Sequence, residues 1–548
     1  MKMKKERNEG SMKRIIVILE RTMIRLKRTF FVISSRLMST ESNLKTLHSA
    51  TQKDEILSYL YVSQTRIPFT VEPDIDFRQL FADHLQRLRF NLKNRSPLLT
   101  ASFLKDENYL DDLIKTYNEI LVPNLRRRYE IREILSKKNA NVDPLIIEKL
   151  KSELINILAI LKENRSTILD CLRLPNFFDE KSTPLGNRNE ILDENRPKKE
   201  KSCRHMDFLT KKNLIRIDSD PQRLYLLNGM VEFSEILANF LRKNFHNSGC
   251  RMMALPHFVR SFAIECLGVT VALGQVGHGR TFVPAGVFMK LTNYLENPEK
   301  SAGTHYNTSI QQEHHFNDPE THKLAPNREN NRSDQSKDAE TDFSPPHLTG
   351  NSIYSYLSLF VVKRFSFRTN FPLKFYSVAT SYKFGDLSKS FHPDFSPLNT
   401  SLQRPILSFY ILARHRRELT DCRTEFLGKI ADIFGPEKLN LNFKLENSAS
   451  ENLKFAEFAR WNFCDVDDGN GGCGDSLAFL VDYDDFLCRR LKTSYEVESS
   501  GGDSAKSAPL YSMYGELDLY NVMASFIDLN FNLNDDLDLN MIKNRLKF

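Results

Sequence analysis

Leu348 to Gly385 reads LTGNSIYSYLSLFVVKRFSFRTNFPLKFYSVATSYKFG. Near its end, Phe375 to Lys383 alternates apolar and polar side chains, as a strand with one buried face requires. Leu407 to Leu412 supplies a strand of matching character, and the Pro-, Asn- and Ser-rich stretch between the two makes a long hairpin connection. Upstream, Val231 to Phe245 carries apolar residues at helical spacing and leads into an apolar, strand-like segment ending near Pro256. Strands paired locally, with helices packed against them, predict an α+β fold on an antiparallel sheet flanked by helices rather than a parallel doubly wound sheet.

The chain has 548 residues, 41% of them hydrophobic and 11% aromatic, enough for two or three domains. No apolar run approaches the length of a membrane span, so no membrane partner is expected. The net charge of +7 is unevenly placed: residues 1–40 hold eleven basic groups against three acidic ones, and the rest is close to neutral. Residues 1–45, rich in Arg, Ser, Thr and bulky apolar residues, fit an amphipathic mitochondrial presequence, with a disordered basic tail as the plainer alternative. The expected location is therefore the mitochondrial matrix. Eight scattered cysteines without a Cys-x-x-Cys pair argue against a disulfide framework and a zinc knuckle, and reduced thiols suit that compartment.

Asp111 to Leu172 reads as an antiparallel helical hairpin, the arm of a domain spanning residues 46–190. Asp143 can cap the second limb with Pro144 at its first position, and Leu150, Leu154, Ile157, Leu161 and Ile168 form one coiled-coil seam. Pro123 predicts a kink or restart in the first limb. Arg126, Arg127, Arg128, Arg132, Lys137 and Lys138 cluster toward the tip, opposed by Glu130 and Glu133. That patch is either a solvated helix face or an RNA contact. Residues 191–548 make the core, interrupted by a low-complexity insertion at 299–347 whose His305, His314, His315 and His322 lack metal-ligand spacing. GQVGHGR at Gly274 to Arg280 reads as a turn, HRRE at His415 to Glu418 as a basic surface face, and His257 carries no catalytic role.

Five colinear segments resemble the seryl-tRNA synthetase family of class II. Leu174, Pro175 and Asn176 with Pro184 and Gly186 resemble the end of its tRNA-binding arm. PQRLYLLNGMVEFSEILANFLRKNF with Gly249 and Pro256 resembles the first class II motif, which builds the dimer interface. LTGNSIYSYLSLFVVKRFSF with Pro372 resembles the segment bearing the amino-acid-binding Thr-Ala-Glu, and SVATSYKFG the second motif. DDFLCRRLKTSYE resembles the family's Asp-Phe-Gln-Ala-Arg-Arg-Leu signature. The resemblance implies a class II synthetase-like sheet preceded by a coiled-coil arm, and it is nearest to the catalytically silent, seryl-tRNA synthetase-like insect mitochondrial branch.

The chemistry-bearing residues of that pattern have changed. Asn351, Ser352 and Ile353 stand at Thr-Ala-Glu, removing the carboxylate that would pair with an amino-acid ammonium. Lys383 and Gly385 stand at the Arg and Glu of the second motif, so the planar phosphate fork and the adenine-holding carboxylate are gone. Counting back from Arg489 and Arg490, the metal-holding Glu falls on Ser476, and Phe479, Leu480 and Val481 make that wall apolar. The third-motif Arg falls near Tyr520 or Asn521.

The resemblance therefore implies a pseudoenzyme of mitochondrial translation and homeostasis, without catalytic residues, metal or cofactor. Its implied partners are a second copy or the mitochondrial seryl-tRNA synthetase, the Lon protease, and tRNA or other RNA. The alternative is a diverged but active mitochondrial serine-tRNA ligase using ATP and Mg.

Overall fold

The computed structural model describes residues 84–136, 144–195, 204–217, 224–268, 346–382, 398, 401–466, 473–497 and 507–546, short of a few single positions within them. All of them belong to one compact unit, Tyr59–Val271 with Val276–Phe548. Lys137, Lys138, Lys383, Gly385, the Gly274–Arg280 run and the four insertion histidines lie outside the described residues.

The first helices are α1 (Leu85–Asn94), α2 (Tyr109–Thr116), α3 (Val122–Ser136), α4 (Pro144–Glu163) and α5 (Arg165–Leu172). Between α2 and α3 the helix passes through one π turn, Tyr117–Leu121, in which the Val122 N–H donates to the Tyr117 carbonyl. Pro123 follows directly and has no N–H for the Glu119 carbonyl, so the disturbance expected there takes the form of a wide turn rather than a break. Helix α4 opens on Pro144, where the missing N–H costs nothing. Leu121 and Ile131 on one side and Leu150, Ile157 and Leu161 on the other are buried. Arg127 joins α3 to α4 through two bonds to Glu153, at 2.6 and 3.0 Å.

These helices are fastened to the sheet by buried polar groups. Asn91 donates to the Asn176 carbonyl, and Asn176 donates to the carbonyls of Ala456 and Tyr483, each at 3.0 Å. Arg95, fully enclosed, donates to the carbonyls of Lys454 (2.8 Å), Phe177 (3.2 Å) and Glu457 (2.5 Å). Burial pulls its guanidinium down to about 9, against the opposing charge of Glu457. Arg490 lies over the rings of Phe486 and Phe455, at 4.3 and 4.9 Å, which meet each other edge to face, and it donates to the Leu172 carbonyl.

Eight strands form the central sheet: β1 (Glu190–Asn195), β2 (Arg251–Met252), β3 (Leu373–Tyr382), β4 (Gln403–Ala413), β5 (Phe443–Asn447), β6 (Ala459–Val466), β7 (Cys473–Asp484) and β8 (Tyr511–Asp518). Their order is β1-β5-β6-β7-β8-β4-β3-β2, antiparallel except for the parallel β2–β3 contact. The expected hairpin is present: β3 pairs with β4 in a register that sets Phe375 opposite Tyr410.

Alternation along β4 divides the core. Leu407, Phe409, Ile411 and Ala413 join the cluster beneath α6 (Gly229–Asn247), α8 (Arg416–Phe434) and α10 (Leu519–Asn530), while Tyr410 and Leu412 join a second cluster under α7 (Ile353–Phe360) and α9 (Phe486–Arg490). Both faces of the central strands are thus covered, which explains their nearly unbroken apolar sequence. Gly515 permits the fit: a Cβ there would come within 2.2 Å of the Phe409 ring.

Two expectations need correction. Arg416 is not part of a solvated basic face; it reaches Asp482 at 2.6 Å and lies 4.5 Å above the Phe458 ring. The thiols are not all reduced. Cys171, Cys250, Cys266, Cys422 and Cys488 are free and buried, whereas Cys464 is disulfide-bonded. Cys464 sits where the β6–β7 register becomes irregular, so the covalent tie falls where ladder bonds thin out.

Candidate functional site

The face of the sheet under α7 holds Asn351, Ser352 and Ile353 with Phe479 and Val481, whereas Leu480, expected in the same wall, points to the opposite cluster because side chains alternate along β7. The chain enters it through Gly350, whose φ of +61° and close approach to the Thr380 carbonyl exclude a side chain: a Cβ would lie 2.4 Å from that oxygen. The Asn351 N–H then donates to the same carbonyl at 2.8 Å. Asn351 is buried, and its amide donates to the carbonyls of Ile406 (3.0 Å) and Ser377 (3.3 Å), with the Ala379 carbonyl at 3.4 Å. Ser408 donates to the Asn351 side-chain oxygen. Every polar group of this side chain is thus engaged with β3 and β4, as a buried amide requires. The Ser352 hydroxyl turns back to the Gly350 carbonyl at 3.4 Å.

Ile353 opens α7 and is only 3% exposed. Behind it, aromatic rings occupy the sheet face. Tyr356 stacks on Tyr410 at 5.4 Å and meets Tyr514 edge-on at 6.1 Å; Phe360 stacks on Tyr410 at 5.7 Å and contacts Phe375 at 5.3 Å. Phe479 approaches Tyr514 at 6.2 Å, and Val481 is fully buried in the same cluster. Aromatic pairs at such spacings contribute about 0.5–1.5 kcal/mol each beyond area burial, so the layer is cohesive as well as space-filling. Its few polar ends are satisfied internally: Tyr356 reaches the Ser408 carbonyl at 3.2 Å, and the Tyr514 hydroxyl donates to Glu516 at 2.5 Å. Burial raises the Tyr356 and Tyr410 phenols above their ordinary range, so they stay protonated.

The side chain of Asn521 is equally committed. Asn521, buried at the start of α10, donates to the Ser476 carbonyl at 2.8 Å. Its side-chain oxygen accepts from Arg404 at 2.6 Å, and Arg404 pairs with Asp518 at 2.8 Å. Asp518 also caps α10, accepting from the N–H groups of Tyr520 and Asn521. The guanidinium at this end of the sheet is therefore neutralised by an internal carboxylate. The Ser476 side chain is exposed, with no carboxylate supplied at that position. Among the described residues, no group of three or more His, Cys, Asp or Glu could hold a metal.

Arg490 is buried against the Phe486 and Phe455 rings, and Arg489 pairs with Asp485 at 2.7 Å. Of the basic positions on α3, Arg126 and Arg132 are exposed, whereas Arg127 and Arg128 are partly covered. Besides Glu153, Arg127 also meets Glu130 at 3.1 Å. The His257 ring faces Tyr382, whose hydroxyl lies 3.4 Å from its Nδ1.

Sequence reasoning missed Arg404 and the three tyrosines. The available signal was a lone Arg at the head of an apolar strand, RPILSFYILA, since a charge in such a run must find an internal partner. It also missed the carboxylate cluster at the end of β7. Asp482 is buried against Arg416, and burial raises its carboxyl while Arg416 opposes the shift. Burial and then the charge of Asp485 push Asp484 up to about 7.

No family model and no curated protein matches the chain. Solved structures do. The cytoplasmic serine-tRNA ligase of Naegleria fowleri, in complex with AMP, is similar with a TM-score of 0.58 at 13% identity over 86% of this chain and 97% of that one. The seryl-tRNA synthetase of Pyrococcus horikoshii, complexed with ATP, gives 0.57 at 13% identity over 86% and 98%. At that identity the likeness shows the fold: a large antiparallel sheet with helices, of the seryl-tRNA synthetase, class II kind.

Proposed function

We propose that this chain is a seryl-tRNA synthetase-like pseudoenzyme that acts by binding. The observation carrying this reading is the sheet face itself, filled by Ile353, Tyr356, Phe360, Tyr410, Tyr514, Phe479 and Val481 and closed at its polar end by the Arg404–Asp518 pair. Adenylyl transfer depends on positioned cations stabilising phosphate charge in a cavity that admits the nucleotide. Among the described residues, a face packed with aromatic rings and a self-neutralised guanidinium offers neither.

The rest of the proposal follows the resemblance. The protein works in the mitochondrial matrix, dimerises with itself or with the active mitochondrial seryl-tRNA synthetase, and engages the Lon protease. Helices α3 and α4 serve as an antiparallel arm whose Arg126, Arg128 and Arg132, with Lys137 and Lys138, contact tRNA or another RNA. Neither ATP nor Mg is needed for this role.

Serine-dependent exchange of pyrophosphate into ATP by the purified chain tests the reading. The proposal expects none above background. Exchange that requires serine and disappears in an Asn351→Ala, Arg404→Ala double variant would establish the active-ligase alternative.

A further inference from the structure

Helix α7 ends in a chain reversal that does not suit its residues. Val361 has φ −57° and ψ 131°, Val362 has φ +55°, and the Lys363 N–H donates to the Phe360 carbonyl at 3.1 Å. These are the angles of a type II turn, whose third position favours Gly or Asn; a β-branched residue there is strained. The strain holds Val362 outward, 60% exposed, beside Leu359 at 48%. Strained backbone that presents an apolar side chain to water has no benefit for folding, which directs attention to binding.

The surroundings define what would bind. The Val362 N–H donates to the Leu491 carbonyl at 2.7 Å, which sets exposed Lys492, itself at φ +52°, alongside. Exposed Lys363 and Arg364 follow, and a second turn, closed by Thr369 N–H to the Ser366 carbonyl, raises Phe367, 40% exposed, with Arg368 over its ring at 5.4 Å. Arg414 fixes this turn by donating to the Phe367 carbonyl at 2.8 Å. Residues 359–370 contain no acidic side chain, and Glu496 across the strand pair meets Arg364 at 3.5 Å. Part of the positive charge complements the C-terminal carbonyls of α7 and α9. That does not explain the exposed apolar side chains, Leu359 in the last turn of α7 and Val362 and Phe367 on the two tight turns.

We infer that Leu359, Val362 and Phe367, with Lys363, Arg368 and Lys492, dock peripherally on an anionic lipid bilayer. Aliphatic tips suit the acyl boundary and the cations suit lipid phosphates, without any membrane-spanning helix. A single exposed aromatic ring is too little for a base-stacking platform, which favours lipid over RNA.

Co-sedimentation of the full chain with vesicles of phosphatidylglycerol and phosphatidylcholine at about 3:7, alongside hydrogen exchange, tests this. Residues 359–369 should gain protection on the anionic vesicles and none on pure phosphatidylcholine. Lys363→Ala, Arg368→Ala and Lys492→Ala together should lower partitioning on the order of a hundredfold, at about fivefold per cation. Val362→Asn, which tolerates the backbone, should raise the melting temperature while weakening partitioning. Vesicle binding without protection at 359–369, or protection of that segment by polyuridylate but not by vesicles, would overturn the inference. So would unchanged partitioning in both the triple variant and Val362→Asn.

Discussion

Replacing Ile353 with Glu restores a carboxylate at the position where the resemblance places the family's amino-acid ligand, and the filled face dictates the outcome. Truncating the apolar contacts of a 3%-exposed Ile costs about 2 kcal/mol. A carboxylate enclosed there without a cation is held protonated, and protonating Glu at pH 7.5 from an ordinary pKa near 4.3 costs about 4 kcal/mol. Held protonated, the group gains nothing from the α7 dipole, so the sum is a loss of about 6 kcal/mol at pH 7.5. Because the folded pKa is raised above the unfolded one, stability is retained below about pH 4.3 and lost as pH rises, so the deficit at pH 5.0 should be about 3 kcal/mol smaller. Urea denaturation of both proteins at the two pH values measures this. A variant as stable as the parent at pH 7.5, with no pH dependence, would mean that residue 353 faces water in an open polar site, and the filled-face argument would fail.

Other outcomes are equally specific. With the Asp484 carboxyl pushed up to about 7, the stability it contributes is lost as pH rises from the ordinary carboxylate range toward 7, so Asp484→Asn should lessen the fall in melting temperature between pH 5 and pH 8. Arg95→Ala leaves the carbonyls of Lys454, Phe177 and Glu457 without their donor and should cost about 3 kcal/mol or more, with earlier proteolysis of the helices preceding the sheet. Arg126→Ala with Arg132→Ala should weaken RNA binding and flatten its salt dependence, the slope falling by about 0.7–0.9 per residue. Arg127→Ala, which removes the bond to Glu153, should mainly loosen the α3–α4 contact.

What the sequence revealed depended on whether the signal was local. The β3–β4 hairpin, α6 and the Pro144 start of α4 were legible because strand alternation, helical spacing and an N-terminal proline act over a few residues. That positions 353, 476 and 521 carry uncharged side chains was legible too, since a residue's type needs no geometry to be read. What packs around them was not. Tyr356, Tyr410 and Tyr514 come from three distant segments, and only the β4–β8 register, with Tyr514 opposite Tyr410, puts them under α7. Arg416 read as a surface cation because Asp482 lies 66 positions away in sequence and beside it in space.

The central claim, that the face which would hold an aminoacyl-adenylate is occupied by the protein's own side chains, is tested most directly by titrating the full chain with a non-hydrolysable seryl-sulfamoyl adenosine and following heat. The account predicts no saturable binding at millimolar ligand. Stoichiometric binding at micromolar ligand, lost in an Arg404→Ala variant that remains folded, would contradict it.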